Sequence, residues 1–588
     1  MRFLHQIFLI LFVGSATFLH SQTYVFTPKS IEDHIKYLAS DELTGRYPGT
    51  HGDKMAAEYI RNHFAKLGLK LAFSEGFQAF EVVTGVELLR GNFIEVNGEP
   101  ALLEKDFIPL SFSKSSSAEA EVVFAGYGIV MDGSWNDYES LSVNGKWVLA
   151  LCGDPEPENS QSAFIPFSSD RLKAIAAKDR GAAGLLLVKG VNSEKDDKLM
   201  PSFYDKIAAD AGIPVLNITR GLANKIIQNQ NYTIESIEKK IQSDKKPHGF
   251  ATGTNFKGNI SLGYRNVGTQ NVVAILQGSD PVLKDEYIMI GAHYDHLGMG
   301  GTGSGSRMPD TLAVHYGADD NASGVAGVLE LASSLQANSG KIKRSVIFIA
   351  FGAEEMGLIG AKHFAAHSPV PIDQIKAMIN LDMIGRMKKG GALAIGGTGT
   401  APQIDEMLNH IEGKYSFAIS RQPDGYGPSD HASFYAAGIP VLFFSTGAHE
   451  DYHTPGDTWD KLNTEGQVAV QQLVFDVANY IANHSQAFTF TESGTVVRRG
   501  QGRGYKVTLG IVPDVASSRN GLGVDGVRKD GPAARAGILK GDLIVAMNGL
   551  PVGNIYEYMA RLNSLTAGET VSVELNRNGK REIVLVQL

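Results

Sequence analysis

The sequence is poor in residues that would cross-link it or anchor it in a membrane. Cys152 is the only cysteine among 588 residues, so no intrachain disulfide can form and stability has to come from buried cores. Beyond the amino terminus, no run approaches the ~20 apolar residues that a membrane-spanning helix needs. Long basic runs are also missing, and the net charge is -9. Nucleic acid is therefore excluded as the main partner, because phosphate binding needs clustered lysine and arginine.

The amino-terminal segment has the pattern of an export signal. One arginine precedes the apolar stretch Phe3–Val13, and small or polar residues follow. This pattern predicts a signal peptide over residues 1–21, cleaved near Ser21. The alternative is a membrane anchor, but His5 and Gln6 interrupt the apolar stretch and favour cleavage. We therefore expect an exported protein, periplasmic or extracellular, with no membrane span in the mature chain.

The texture of the sequence changes several times along the chain. Residues 30–69 have helical periodicity, short apolar runs follow from about Val86 to Phe250, and strands alternate with helices from Gly258. This alternation predicts an α/β fold with a largely parallel mixed sheet covered by helices on both faces. The predicted units are a signal peptide (1–21), the first part of a main domain (22–85), a β-rich insert (86–250), the rest of the main domain (251–490), and a linker with a C-terminal domain (491–588).

Several apolar runs of the main domain are followed by histidine and acidic residues. In an open α/β sheet the ligand crevice lies beyond the carboxyl ends of the strands, so these side chains are expected at one edge. Converging carboxylates repel one another, and divalent metal ions remove that repulsion. Imidazole and carboxylate ligands suit zinc, and two ions ~3.5–4 Å apart are a usual hydrolytic arrangement. The residues are His293, Asp295, Asp319, Asp320, Glu354, Glu355, Asp382 and His453.

Two adjacent glutamates, Glu354 and Glu355, come two residues after the apolar run Ser345–Phe351, beyond Gly352 and Ala353. Two like charges beside a buried strand are costly unless something compensates them. We interpret one of them as a metal ligand and its neighbour as the base that takes a proton from the attacking water.

At this point the sequence resembles a known family. The motifs "GAHYDH", "GADDNASG", "AEEMGLIGA", "NLDMIG" and "YHTPGDT" follow one another between about Asn271 and Asp457. Together with the earlier "YLASDELTGRYPGTHG", they resemble co-catalytic zinc aminopeptidases of the M28 type. The resemblance implies the zinc exopeptidase fold, two Zn²⁺ ions per chain, and peptide substrates with a free N-terminus. It also implies that a water bridging the two ions hydrolyses the bond after the N-terminal residue.

The resemblance assigns the metal ligands residue by residue. His293 and Asp382 would bind one zinc ion, and Glu355 and His453 the other. Asp320 would bridge the two ions.

The resemblance also assigns the catalytic residues. Glu354 would be the general base, and Asp295 would orient His293 without binding metal itself. Tyr452 would hydrogen-bond the substrate carbonyl. Related enzymes hold the peptide bond after the bridging aspartate in cis, which here would be Asp320–Asn321.

Other polar residues near the motifs receive no role. The implied ligand set leaves none for His296, His315 or His449. The glycine-rich segment Gly298–Arg307 lacks the Lys-Ser/Thr of a phosphate-binding loop and is interpreted as a mobile loop near the site. Asp430 follows a potential capping serine and is explained nearly as well by a helix N-terminus as by a place in the pocket.

The flanking units resemble two accessory domains. In the insert, "GKWVLALCG", "KAIAAKDRGAAGLLLV" and "IPVLNIT" resemble a protease-associated domain, for which no catalytic group is implied. The C-terminal "GVRKDGPAARAGILKGDLIVAMNG" resembles a PDZ domain, a β-barrel-like fold. Its carboxylate-binding loop would be Leu509, Gly510 and Ile511, which implies a C-terminal peptide as a possible partner. The alternative is a module that only stabilises the fold.

Two other functions stay open. The same fold supports carboxypeptidases, which must bind a substrate α-carboxylate, usually with arginine; Arg386 and Arg421 are the candidates near the motifs. The second alternative is a secreted peptide-binding module without catalysis.

Overall fold

The computed structural model describes residues 24–131, 133–201, 204, 206, 209–493, 507–514 and 521–588. The signal peptide predicted over residues 1–21, with its cleavage near Ser21, lies outside the described residues. Within the described ranges, no helix is both long enough and apolar enough to cross a bilayer.

Helices and strands come in four successive groups, numbered here in chain order. The first group is α1 (Pro28–Leu38), α2 (His51–Lys66), β1 (Lys70–Leu71) and β2 (Phe77–Leu88). The second is β3 (Phe93–Val96), β4 (Glu99–Ala101), β5 (Phe107–Pro109), β6 (Ser117–Ala125), β7 (Val130–Met131), β8 (Trp135–Asn136), β9 (Trp147–Leu151), α3 (Asp170–Lys178), β10 (Gly184–Val188), β11 (Val215–Ile218), α4 (Arg220–Ile227), α5 (Ile234–Asp244) and β12 (Gly249–Asn259).

The third and fourth groups complete the described chain. The third is β13 (Leu262–Leu276), β14 (Tyr287–His293), α6 (Gly324–Ala337), β15 (Ser345–Phe351), α7 (Ile359–Ala366), β16 (Ile375–Leu381), β17 (Ala392–Gly396), α8 (Pro402–Ile411), β18 (Ala418–Arg421), α9 (His431–Ala436), β19 (Val441–Ser445) and α10 (Thr464–Asn483). The fourth is β20 (Ile511–Asp514), β21 (Leu522–Val527), α11 (Pro532–Arg535), β22 (Leu543–Met547), β23 (Leu550–Pro551), α12 (Ile555–Asn563), β24 (Thr570–Arg577) and β25 (Lys580–Gln587).

The first and third groups form the main domain around a nine-stranded sheet. Its strand order is β1-β13-β15-β14-β16-β19-β17-β18, and β2 also pairs with β13. The central strands β15, β14, β16 and β19 are parallel, whereas β13 and β17 join them antiparallel. The predicted α/β class with a mixed sheet is confirmed.

The strand β15 shows why the central strands read as continuous apolar runs. All seven of its residues are buried. Val346, Phe348 and Ala350 pack into the core that holds α1, α2, α6 and α10. Ile347 and Ile349 pack into the core of α7 and α9 on the other face. Since successive side chains point to opposite faces, a strand covered on both sides has to be apolar throughout.

The second group forms the insert around an eight-stranded sheet in the order β4-β3-β12-β6-β9-β10-β11-β5. Helices α4 and α5 cover one face and α3 the other. β12 pairs with β3 and β6 of this sheet, so the domain boundary predicted at residue 250 falls inside a strand of the insert. The resemblance of the insert to a protease-associated domain stays a prediction.

The fourth group forms the C-terminal domain, a small antiparallel sheet in the order β20-β21-β22-β24-β25 with α12 packed on it. Its helix α12 lies against α3 of the insert. Arg561 binds the Asp179 carboxylate with two nitrogens, at 2.5 and 3.0 Å, and Lys178 pairs with Glu557. The side chains of Arg561 and Asp179 are 7% and 14% exposed, so the pair is largely shielded from water.

The C-terminal domain also contacts the main domain. Lys362 on α7 lies 3.1 Å from Asp514 on β20 and 3.2 Å from Asp525 on β21. Lys540 donates a hydrogen bond to the carbonyl of Ala436 at the end of α9. The C-terminal domain is thus held from two sides, by the insert and by the main domain.

We expect Arg561→Ala to loosen the contact between α12 and α3. The substitution leaves the Asp179 carboxylate without its bidentate partner in a shielded position, which is costly for a charge. Hydrogen exchange in both helices should become faster by about tenfold or more, equivalent to ~1.4 kcal/mol. Arg581→Ala is the matched control, because Arg581 is 79% exposed and forms only a long ion pair with Glu574. Equal exchange in the two variants would contradict the role given to Arg561.

Candidate metal centre

The predicted metal ligands lie close together at the carboxyl ends of the central strands and in the adjoining turns and loops. His293 is the last residue of β14, Asp382 follows β16 directly, and Glu355 lies in the turn after β15. Asp320 lies in the kinked turn Ala318–Ser323 before α6. His453 comes from the loop after β19. The structure brings these five side chains within contact of one another.

The first cluster consists of His293, Asp320 and Asp382. The Nε2 atom of His293 lies 3.3 Å from Oδ1 of Asp320 and 3.6 Å from Oδ1 of Asp382. One ligand atom from each residue falls within 4.8 Å of the other two, so a single cation could touch all three.

The second cluster shares Asp320 with the first. Nε2 of His453 lies 3.1 Å from Oδ2 of Asp320 and 3.3 Å from Oε1 of Glu355. The structure adds a residue for which the sequence left no role: Nδ1 of His296 lies 2.9 Å from the same Glu355 oxygen and 3.8 Å from Oδ2 of Asp320. The only sequence signal for His296 is its place at the end of the motif "GAHYDH".

His293, His453 and His296 differ in the partner of the second ring nitrogen. A histidine that binds metal usually donates its other N–H to an oxygen, which fixes the ring. Nδ1 of His293 lies 3.2 Å from the carbonyl of Asp295, and Nδ1 of His453 lies 3.1 Å from the carbonyl of Gly305. Nε2 of His296 is buried without a hydrogen-bond partner. His293 and His453 therefore meet this criterion. His296 does not, although its ring nitrogen and oxygens of Asp320 and Glu355 also lie close enough for a single cation to touch all three.

The cluster attracts positive charge. Burial opposes protonation of His453, but the carboxylates of Asp320 and Glu355 outweigh it and raise the pKa of the imidazole to about 10. Burial works against ionisation of Asp320 too, yet the imidazoles of His293 and His453, 3.3 and 3.1 Å from its two oxygens, hold its pKa well below the usual range.

The same residues fit divalent metal ions. Oδ2 of Asp320 and Oδ1 of Asp382 are buried without a hydrogen-bond partner. Such atoms are costly unless a cation takes them up. Imidazole nitrogens with carboxylate oxygens form a donor set suited to zinc.

Glu354 lies beside the clusters and belongs to neither. Its Oε2 is 3.9 Å from Nε2 of His293. Burial raises the pKa of its carboxyl well above the usual range, and the charges of Glu355, Asp430 and Asp382 add to this effect. A carboxyl with a raised pKa, close to a metal centre, is suited to accept and return a proton.

Asp295 acts on the turn that carries both glutamates. Its Oδ1 accepts the N–H of Glu354 at 2.9 Å and its Oδ2 that of Glu355 at 3.3 Å. The carboxylate is 3.9 Å from Nδ1 of His293, farther than the backbone carbonyl of the same aspartate. Asp295 was predicted to orient His293. In the structure its backbone carbonyl is closer to the His293 ring than its carboxylate is.

Tyr452 stacks on the ring of His453, with ring centroids 3.8 Å apart. Burial raises the pKa of its hydroxyl, and the neighbouring carboxylates of Asp320 and Glu355 raise it further. The hydroxyl therefore stays protonated and can donate a hydrogen bond.

The side chain of Asn321 holds the turn of Asp320 against the segment of Asp382. The peptide bond Asp320–Asn321 is cis, as the resemblance implied. The side chain of Asn321 donates to the carbonyl of Leu381 at 2.9 Å and accepts the N–H of Met383 at 3.2 Å. Since these two groups flank Asp382, Asn321 joins the turns of two ligands.

Asp457 joins Asp320 to the loop of His453. Its Oδ2 accepts the N–H groups of Asp319 and Asp320 at 2.9 and 3.0 Å, and its Oδ1 lies 3.1 Å from Arg386. Asp457 belongs to the motif "YHTPGDT", but the sequence analysis predicted no role for it.

Arg46 connects the amino-terminal motif to the site. Its buried guanidinium donates to the carbonyls of Tyr294 at 2.7 Å, Tyr316 at 2.7 Å and Gly317 at 3.0 Å. Gly317 has φ of 54°, and a Cβ there would lie 2.1 Å from the carbonyl oxygen of Asp320. The Arg46 guanidinium thus fixes the backbone before and after the glycine-rich loop of the metal centre. It contacts none of the predicted metal-binding side chains.

The family model for peptidase family M28 matches residues 271–478, and that for the PDZ domain matches residues 507–588. The chain belongs to peptidase family M28. The M28 match contains all five predicted ligands, and the PDZ match covers the C-terminal domain.

Three curated relatives match different shares of this chain. Aminopeptidase YwaD of Bacillus subtilis is 27% identical over 45% of this chain and 56% of its own length. The probable lipoprotein aminopeptidase LpqL of Mycobacterium tuberculosis is 25% identical over 68% of this chain and 70% of its own. The uncharacterized protein YfbL of Escherichia coli is 30% identical over 34% of this chain and 68% of its own. The chain spans between about half and two thirds of the first relatives it matches.

Among solved structures, a zinc aminopeptidase from Bacillus subtilis aligns over 79% of this chain and 98% of its own, at 22% identity. The TM-score of this alignment is 0.48.

We expect His453→Ala and His296→Gln to differ in zinc content. If His453 is a ligand, its removal leaves only carboxylate oxygens, from Glu355 and Asp320, for the second ion. In the other variant, the glutamine at position 296 can still donate a hydrogen bond to Glu355. After dialysis against a weak chelator, the His453 variant should retain about one zinc ion per chain and the His296 variant about two. Metal analysis by mass spectrometry measures both. The opposite order would make His296 the ligand.

Proposed function

We propose that this chain is an exported di-zinc aminopeptidase that removes N-terminal residues from peptides. One observation carries the proposal: two potential metal clusters share Asp320, and a carboxyl of raised pKa, Glu354, lies next to them. Membership of peptidase family M28 and the aminopeptidases among its relatives support the reaction class. The signal predicted at residues 1–21 supports export to the periplasm or beyond.

The five ligands would be divided between two ions. His293 and Asp382 would hold one, Glu355 and His453 the other, and Asp320 both. Zinc bound in this way polarises a carbonyl and lowers the pKa of water toward neutrality.

The remaining steps belong to side chains of the chain itself. Glu354 takes a proton from the attacking water and returns it to the leaving amine. The carboxylate of Asp295, bonded to the N–H groups of Glu354 and Glu355, keeps the two glutamates in their separate roles. Tyr452 donates to the substrate carbonyl oxygen, where negative charge develops.

The charge around the site favours a substrate amine over a substrate carboxylate. The buried Asp430, whose oxygens have no hydrogen-bond partner, adds a carboxyl close to Glu354. Arg386, a candidate for binding a substrate carboxylate, already pairs with Asp451 and Asp457 at 3.1 Å each. Arg421 pairs with Asp405 and Glu412. Both arginines thus already pair with carboxylates of the chain itself, which speaks against the carboxypeptidase alternative.

The test of this function combines metal analysis with a substrate panel. The purified protein should contain about two zinc ions per chain, lose activity on chelation and regain it with zinc. It should hydrolyse Leu-p-nitroanilide and leave N-acylated dipeptides intact, since these lack the free amine. Hydrolysis of acylated dipeptides alone would indicate a carboxypeptidase. Neither activity, with zinc near zero, would indicate a binding module.

We expect Glu354→Gln to lose most turnover while keeping its metal. Glutamine has nearly the same shape but accepts no proton, so kcat should fall by ~10²–10⁴-fold. Zinc content and KM should change little. Glu450→Gln, an exposed substitution in the loop before His453, is the matched control. Full activity of the Glu354 variant would overturn the assignment of the base.

A further inference from the structure

One lysine of the insert reaches the turn that carries Glu354 and Glu355. The Nζ atom of Lys206 donates a hydrogen bond to the backbone carbonyl of Glu355 at 2.9 Å, although the two residues are 149 positions apart in the sequence. Lys206 belongs to the connection between β10 and β11 of the insert, whereas Glu355 belongs to the main domain. A second domain of the chain therefore contacts the backbone of a predicted metal ligand.

The connection that carries Lys206 is fastened to the insert before and after this residue. The N–H of Met200 donates to Oδ1 of Asn217 on β11 at 2.7 Å. Arg171 on α3 donates to the carbonyl of Ala209 at 2.8 Å. Lys206 itself has φ of 63°, in the left-handed region, and a non-glycine residue keeps such a conformation only where its surroundings fix it. The ammonium group is thus presented to the main domain from an anchored segment.

The backbone partners of the two glutamates show what Lys206 adds to their turn. Asp295 accepts the N–H groups of Glu354 and Glu355. The carbonyl of Glu354 accepts the N–H of Gly357 at 2.8 Å. These partners belong to the main domain. For the carbonyl of Glu355, Lys206 is the only donor among the described residues. A partly buried carbonyl without a donor is costly, so the insert completes the hydrogen bonding of this turn.

The same ammonium group lies beside the glycine-rich loop. A Cβ added to Gly305 would lie 3.2 Å from Nζ of Lys206. The carbonyl of Gly305 is 3.1 Å from Nδ1 of His453, and the N–H of Arg307 donates to the carbonyl of His453 at 2.9 Å. Lys206 therefore lies next to the backbone segments that hold both Glu355 and His453, the two histidine and carboxylate ligands predicted for the second zinc ion.

We infer that Lys206 is a positioning residue of the metal centre, supplied by the insert. Its charge-assisted hydrogen bond to the carbonyl of Glu355 holds the turn. The turn in turn fixes Glu355 as a ligand and Glu354 as the base. This inference rests on the proposed di-zinc function and goes beyond it, because the resemblance of the insert implied no group that takes part in the site.

The first test measures zinc retention in the full-length protein. Lys206→Met keeps a long side chain and removes the donor, so Glu355 should be held less firmly. In a chelator titration, this variant should release one of its two zinc ions at a ~10–100-fold lower chelator concentration than the unmodified protein. Lys206→Arg still donates and should recover most of the retention. Lys198→Met is the matched control, because Lys198 lies in the same connection and is 72% exposed.

Two further measurements separate positioning from substrate binding. At saturating zinc, kcat of Lys206→Met for Leu-p-nitroanilide should fall about tenfold or more, while KM changes little. A higher KM with unchanged kcat would overturn the inference, since it would make Lys206 a substrate-binding residue. Hydrogen exchange in residues 352–358 should be faster in Lys206→Met than in Lys198→Met, because the turn has lost a bond.

Zinc retention in Lys206→Met equal to or tighter than that of the unmodified protein would also overturn the inference. Tighter retention would mean that the ammonium group repels the ion more than it supports the ligand. If the unmodified protein binds no zinc and leaves Leu-p-nitroanilide intact, the proposed function falls instead. Hydrogen exchange in residues 352–358 then still decides whether Lys206 holds the turn.

Discussion

Repulsion between buried carboxylates is the constraint on which this structure depends. Asp320, Glu355 and Asp382 converge at one edge of an apolar sheet, and Glu354 and Asp430 lie next to them. In the described structure histidines supply the compensating charge, and the pKa of His453 rises to about 10 as a result. A proton and a metal ion compete for the same imidazole nitrogen, so the arrangement that binds protons this strongly is one that also favours divalent cations.

The ligands stay close because several chain segments are fastened to one another. Asn321 links the turns of Asp320 and Asp382, and Asp457 links Asp320 to the loop of His453. Arg46 adds the amino-terminal segment through backbone carbonyls alone. None of these three touches a reacting atom. They fix the backbone, and the backbone fixes the side chains that would bind metal.

How much of this could be predicted from the sequence differs from one feature to another. The apolar runs identified the central strands, because a strand buried on both faces leaves no room for polar residues. The position of His293, Asp382 and Glu355 after those strands pointed to a common edge. The contact of His296 with Glu355 could not be foreseen, since it depends on how the chain turns after β14. The contacts of Arg46 could not be predicted either. Its partners are backbone carbonyls, which every residue has and which leave no pattern in the sequence.

The docking of the C-terminal domain was beyond sequence patterns for another reason. Arg561 and Asp179 lie 382 residues apart in the sequence, in different domains. Only the fit of α12 on α3 shields them from water and makes their pairing matter. The boundary predicted at residue 250 missed the end of β12 because this strand has exposed alternate positions and resembles the connecting strands next to it.

The pairing of β13 with β1 and β2 has a consequence for the order in which the molecule forms. The sheet of the main domain combines strands from before and after the insert, whereas the insert draws all its strands from one continuous stretch. During synthesis the insert can therefore complete its core while seven of the nine strands of the main sheet are still to come. The amino-terminal helices α1 and α2 pack on strands and helices that follow the insert, so their apolar faces stay uncovered during that interval.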